Sequence, residues 1–588
     1  MKKNQFFRFI LISLSVLVYF QIIKPRLDTK PGEPQTSSNL SPKALHSLPT
    51  SPFGASLEGK ARDIMVENQV FKVTLSTKGG MIKRVELKNH KDKHGQPVVL
   101  VDEQSSSMGF SFPYKDTSIE TKGLYFHTTA DPVYVLQGEE EAQIAFRLNL
   151  APDQYLEQQF SFTGTSYKVY HTWHTVGMSD CVQDECPVSF RWDMDMKSLE
   201  SDVKADASRS TINYYLANNV FDNLSESSSK LEQLKVVASI KWVAMKQRFF
   251  TSAIIAGDTF AGGNISIAPI TTQEDKTKAA SATLLISERS KEKGGGSFSF
   301  FFGPNDYSIL SKIAPGFQQN LPLGWAMVRL INQMVIIPIF SFLEKYVSNY
   351  GLVILFLVII TKLILAPFAY KSYISLAKIK LIKPELDAIK ERYQNDPQRI
   401  QNEQMLLYKE LKINPLSGCM PILLQMPVLL AMFNFFPNAI ALRQASFLWA
   451  TDLSTYDSVL RLPFAIPIYG DHVSLFTMLM VISTILYTQS SNQNSSSEAP
   501  MKMLAYVMPI SFMFVLNSFP AGLSFYYFVS NIFSYLQQAL TRYFVDEEMI
   551  KEKLLIRRRR GDQVPAPSFQ AKIASAIQAK NKNKKKKE

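Results

Sequence analysis

GLVILFLVIITKLILAPFAY, residues 351–370, decides the reading of this chain. Its twenty residues carry a single charge, Lys362, placed near the middle. At about 1.5 Å per residue such a helix crosses a hydrocarbon core roughly 30 Å thick. A cation at that depth costs about 2.5–3.5 kcal/mol on insertion scales and is functional by default. Its stem does not easily reach a headgroup layer from there, and the neighbouring apolar runs offer no Asp or Glu. Lys362 therefore reads as lining a wet cavity inside a membrane bundle, where it meets water or an anionic visitor.

Working outward, four further apolar runs read as spans: 421–442, 473–488, 503–519 and 521–540. The middle two of these four are short and flecked with Thr477, Ser483, Thr484, Ser511 and Asn517, which suggests a locally thinned bilayer. Residues 371–413 hold nine Lys/Arg and six acids. Ile379, Ile382, Leu386 and Ile389 step by three and four, and Ile400, Gln404, Leu407 and Leu411 continue the seam. Asp396-Pro397 supplies an N-cap followed by Pro at the first helical position. The segment is expected to be a cytoplasmic helical hairpin, kinked at Pro384. Residues 321–350 are apolar but carry Arg329, Asn332, Gln333 and Pro338, fitting an amphipathic helix in the interface.

Toward the N-terminus, Lys2, Lys3 and Arg8 precede an apolar stretch at 9–23 with no small-residue cleavage site after it, an uncleaved anchor. Counting that anchor gives six spans, with both basic ends on the cytoplasmic side. Residues 27–60 are a Pro/Ser/Thr-rich linker. From about residue 61 to 320 the pattern shifts to period two, as in VFKVTLSTKGGMIKRVEL (70–87), where a Lys-Gly-Gly turn marks a hairpin. This part is expected to be a large antiparallel β-sandwich outside the membrane. Its His171, His174, Asp193 and Asp195 lack ligand spacing and read as surface positions. The five-span core closes near residue 543, and 544–588 form a basic tail. From Arg542 onward there are fourteen Lys/Arg against six Asp/Glu, a net +8, suited to RNA or to anionic lipid.

Three cysteines give no zinc spacing. Cys181 and Cys186 are a possible disulfide in an oxidising compartment, or two free thiols; the spacing leaves both open. No nucleotide motif is present, no cofactor is expected, and nothing points to DNA. A central cation would also suit an anion transporter, but such folds show repeated broken helices, absent from these runs. A carbohydrate enzyme on the sandwich would need paired carboxylates in a cleft, which the sequence does not mark.

INPLSGCMPILLQMPVLLAMF (413–433) and FPAGLSFYYFVSN (519–531) resemble signatures of the YidC family of membrane protein insertases. STKGG (76–80) and KWVAMKQRFF (241–250) also look like family motifs, so the resemblance covers nearly the whole chain. The order of parts resembles the Gram-negative form, with its periplasmic domain. The resemblance implies a non-enzymatic insertase of the bacterial inner membrane, with a hydrophilic groove open to cytoplasm and lipid. Its partners would be nascent membrane proteins, the Sec translocon, anionic lipids, and the ribosome through hairpin and tail. Lys362 falls where most members have an arginine, a point donor in place of a planar fork. Gln425 and Tyr527 match groove positions, with Tyr526 and Asn531 as neighbours of unassigned facing. Taken alone, Gln425 reads equally as interhelical glue and the tyrosines as a packing pair.

Overall fold

The computed structural model describes residues 56–552 and 556, apart from 115–116, 152, 178–187, 274, 288–289, 291–293, 395, 412, 415–419, 468, 493–498 and 546–547. The expected N-terminal anchor, the Cys181–Cys186 pair and nearly all of the basic tail lie outside the described residues. The chain forms two compact units that divide between Pro322 and Leu323.

In the first unit, period-two alternation produces two stacked sheets. The larger has eight strands in the spatial order Phe221–Asn223, Thr211–Leu216, Ile240–Lys246, Phe250–Phe260, Gly295–Pro304, Lys168–Val176, Gln154–Thr163 and Glu141–Ala151. A six-stranded sheet that includes Ser106–Tyr114, Ser189–Lys197 and Lys276–Leu285 covers it. Aromatic rings fill the space between them. Phe110 lies 5.3 Å from Trp173, Phe190 lies 5.0 Å from Phe298, and Trp192 lies 5.8 Å from Phe300, measured between ring centroids. Such pairs add to simple area burial. A third sheet of five strands holds the expected hairpin, Phe71–Ser76 with Met81–Lys91. Gly79 and Gly80 supply its turn with φ of +82° and +61°, a region closed to most side chains. The sandwich is not wholly antiparallel, because Asp63–Glu67 pairs in parallel with Val133–Val135.

One histidine departs from its expected surface position. His171 is fully buried, 4.6 Å from the Phe160 ring and 4.4 Å from that of Phe298, with Nε2 3.1 Å from Gln158 Oε1. Burial pushes its imidazole from 6.5 down to about 3. Between those values the unfolded chain binds a proton that the fold refuses, so this residue subtracts stability as pH falls from 6.5 toward 3. The limiting slope is about 1.4 kcal/mol per pH unit. His171→Phe is expected to flatten that acid limb, read from denaturation midpoints by tryptophan fluorescence; an unchanged slope would contradict a buried neutral imidazole. His174, Asp193 and Asp195 do sit at or near the surface, the two aspartates pairing with Arg191 and Lys276.

The second unit is helical. Helix α1, Ala326–Glu344, contains a π-turn over Asn332–Ile336 and buries Val328, Ile336, Phe340 and Leu343. The buried Asn332 amide donates to the carbonyls of Leu323 and Ala431. Helix α2, Tyr350–Leu381, starts at an Asn349 cap that accepts from the amides of Gly351 and Leu352. Gly351 permits the start to sit against Phe447, whose ring occupies the place a Cβ would take. Both helices are long and apolar enough to cross a membrane. The remaining long helices are α5 Met420–Phe435, α6 Leu475–Asn492, α7 Ala499–Leu516 and α8 Ala521–Phe544. Helix α8 packs against α2 and α6.

Between α2 and α5 lie α3 Lys383–Arg392 and α4 Pro397–Glu410. Asp396 caps α4 as expected, accepting from Gln398 and Arg399. Ile382, Leu386, Leu407, Leu411 and Ile413 bury the seam between the arms, with Ile379 and Ile389 against them. The arm is interrupted just ahead of Pro384, as expected. The chain breaks at Ile382, and the proline sits in the first turn of the new helix, where its missing N–H is not needed. Between α5 and α6 the chain forms an antiparallel pair, Leu460–Ile466 with Gly470–Val473. Nearby, the buried Asp457 accepts from Trp449 Nε1 at 2.8 Å, Ser474 Oγ at 2.5 Å and the Phe476 amide at 3.0 Å.

Candidate functional site

Helix α8 has an inverted pattern. Its exposed positions are apolar: Ile532, Tyr535, Leu536, Leu540, Tyr543 and Phe544. Its buried or half-buried positions beyond Tyr527 are mainly polar: Ser530, Asn531, Ser534, Gln537, Gln538, Thr541 and Arg542. A water-soluble helix buries its apolar stripe. Polar inside and apolar outside is what a helix needs between lipid and a wet interior.

Lys362 meets this inner face. Its side chain is 7% exposed, and Nζ donates to Ser534 Oγ at 2.7 Å. Ser534 in turn donates to the Ser530 carbonyl. Among the described residues no carboxylate lies within ion-pairing distance of Lys362. The adjacent Thr361 spends its hydroxyl on its own helix, donating to the carbonyls of Leu357 and Val358. It adds no free polar group to the lysine.

Asn531 ties α8 to α6, its Nδ2 donating to Thr484 Oγ1 at 2.7 Å and Ser483 Oγ at 3.1 Å. The polar residues within this short helix thus have partners across the bundle. One α-helical turn above Asn531, Tyr527 donates from its hydroxyl to the Leu429 carbonyl of α5 at 3.1 Å. Gln425 is half-buried on α5, four residues before Leu429, and so about 6 Å along the helix from that contact. Tyr526 is 4% exposed and packs against Phe436 and Tyr527. Ser534, which holds Lys362, and Tyr527 lie seven residues apart and so on one face of α8. No hydrogen bond joins Gln425 to Lys362 or Tyr527 among the described residues. Tyr526 belongs to the apolar core of the unit.

Sequence reading missed Ser530, Ser534, Gln538 and Arg542. Their signal was available as polar residues at exact four-residue steps in an apolar run. A last span ending at residue 540 leaves Arg542 beyond the run, counted with the basic charge that follows it.

Comparison with known proteins agrees with this architecture. Residues 63–337 match the YidC periplasmic domain, and 342–548 match the 60Kd inner membrane protein family. A membrane protein insertase YidC of Amoebophilus asiaticus is 48% identical, with all of both chains covered. One from Cytophaga hutchinsonii is 37% identical over 95% of this chain and 93% of that protein. Among solved structures, an active YidC insertase crystallised with its first transmembrane domain resolved is 17% identical, covers 83% of this chain and 93% of that one, and has a TM-score of 0.32. An end-to-end relative at 48% identity, with both halves matched in order, leaves one assignment: this chain belongs to the YidC family of membrane protein insertases.

Proposed function

We propose that the chain inserts newly made membrane proteins through a hydrophilic groove lined by Lys362, Gln425, Tyr527 and the inner face of α8. The observation that carries this is the buried ammonium of Lys362, answered by a serine hydroxyl on an otherwise polar inner stripe. A polar or acidic leading segment must cross the hydrocarbon core. Water and one cation inside protein shorten its dry path and attract its carboxylates, and the following apolar segment then leaves sideways along the lipid-facing stripe. Partitioning of that apolar segment drives the transfer.

In this reading the core has five spans and the whole chain six. Helices α3 and α4 and both termini lie in the cytoplasm, and the sandwich lies in the periplasm. Helix α1 has the length of a span, yet counting it as one would place the basic tail outside, against the positive-inside rule. It is therefore assigned to the interface. The parts are taken as 1–26 anchor, 27–60 linker, 61–320 sandwich, 321–350 interfacial helix, 351–543 core and 544–588 tail. The hairpin and tail, both rich in Lys/Arg, would receive chains from the ribosome and touch anionic lipid, alone or beside the Sec translocon.

The test is insertion of a single-span substrate, synthesised in the presence of liposomes that contain the purified protein, with protease protection as readout. Protected fragments above empty liposomes support the function. Their absence both with and without translocon in the liposomes contradicts it.

A further inference from the structure

The polar stripe of α8 does not end at Lys362. Ser530, Ser534, Gln538 and Arg542 recur every four residues, so their side chains stack along one face. Arg542 lies eight residues beyond Ser534, about 12 Å along the axis. Its Nη2 donates to the Ser490 carbonyl of α6 at 2.7 Å and to Ser490 Oγ at 3.3 Å. Among the described residues its Nε is buried and without a partner, as are Gln538 Oε1 and Ser530 Oγ. No carboxylate pairs with Arg542 among the described residues. Unpartnered buried polar atoms are costly unless water or a ligand satisfies them. Here three occur on one helical face, flanking a serine that already holds a lysine.

We infer that Arg542 is a second cationic station of the groove, binding carboxylates of the substrate's leading segment before they reach Lys362. The inference rests on the groove reading above. Two cations about two turns apart on one polar face, with no acid paired to either among the described residues, form a track for successive acidic side chains. A guanidinium with Nη2 held by α6 keeps further N–H donors for a carboxylate. In the proposed topology Arg542 lies toward the cytoplasmic end of α8, where substrate arrives. The alternative anion, a lipid phosphate, would be met on the opposite stripe, where Tyr543 and Phe544 face outward.

The experiment uses the full chain in liposomes and three substrates, identical except for zero, one or three acidic residues in the leading segment. Arg542→Gln is expected to slow insertion at least fivefold for the three-acid substrate. The loss should shrink stepwise with fewer acids, and Arg542→Lys should restore most of it. An equal loss for all three substrates overturns the inference in favour of a structural role. A loss that disappears in liposomes without anionic lipid overturns it in favour of headgroup binding. Lys362→Gln run in parallel separates the two claims: sensitivity there without sensitivity at Arg542 retains the groove and rejects the second station.

Discussion

Lys362→Glu is expected to abolish insertion of substrates with acidic leading segments, a loss of a hundredfold or more, whereas Lys362→Arg remains active. The wild-type ammonium rests on Ser534 with no carboxylate beside it among the described residues, so its charge is available to a visitor. Reversal replaces attraction by repulsion where the dielectric is low. At 4 Å and an effective dielectric constant near 20, each sign is worth about 4 kcal/mol, so even half that difference exceeds a hundredfold. Glutamate also shortens the reach to Ser534. Arginine keeps the charge and can still donate to that hydroxyl, though its planar fork needs more room. Initial insertion rates for substrates with and without acidic leaders decide the matter. Equal rates for the Glu variant on an acidic leader would sink the electrostatic account.

The second large effect falls on stability. Asp457→Ala is expected to lower the melting temperature of the helical unit by several degrees and reduce the folded yield, while Asp457→Asn is milder. The carboxylate accepts from Trp449, Ser474 and the Phe476 amide, and so holds the loop after α5 to the first turn of α6. The same corner continues through Asn517, whose Oδ1 accepts from the Ser474 amide and whose Nδ2 donates to the carbonyls of Tyr469 and His472. Removing Asp457 strands two buried donors, the Ser474 hydroxyl and the Phe476 amide, at about 1–3 kcal/mol each, and also frees the more exposed Trp449 indole N–H. Asparagine retains acceptor capacity through its carbonyl oxygen. Thermal melting in detergent with intrinsic fluorescence reads the difference; identical melting for Ala and wild type would show that the network is dispensable.

How far the sequence reached depends on which interactions are local. Period-two alternation and the Lys-Gly-Gly turn mark the hairpin at 71–91 because strand facing and left-handed glycines are properties of neighbouring residues. The Asp396 cap and the α3–α4 seam are equally local. The parallel pairing of Asp63–Glu67 with Val133–Val135 joins segments some seventy residues apart, and no periodicity announces it. His171 looked like a surface residue because its strand alternates; the alternation does not say which face the second sheet will cover. At the site, Lys362 is legible because burying a charge is costly wherever it occurs. Its partner Ser534 is not, since a lone serine in a span is ordinary and only the packing of α2 on α8 brings the two together.

The most direct test of the account is the water accessibility of α8 in the intact membrane. Single cysteines are placed from 530 to 542 in a chain whose Cys181, Cys186 and Cys419 have been replaced, and each is labelled with a membrane-impermeant maleimide from the cytoplasmic side. The account predicts labelling at 530, 534 and 538 and protection at 532, 536 and 540, a period of one helical turn that follows the polar stripe. Uniform protection, or labelling of the opposite stripe, would contradict a hydrated groove along this helix and with it the role assigned to Lys362.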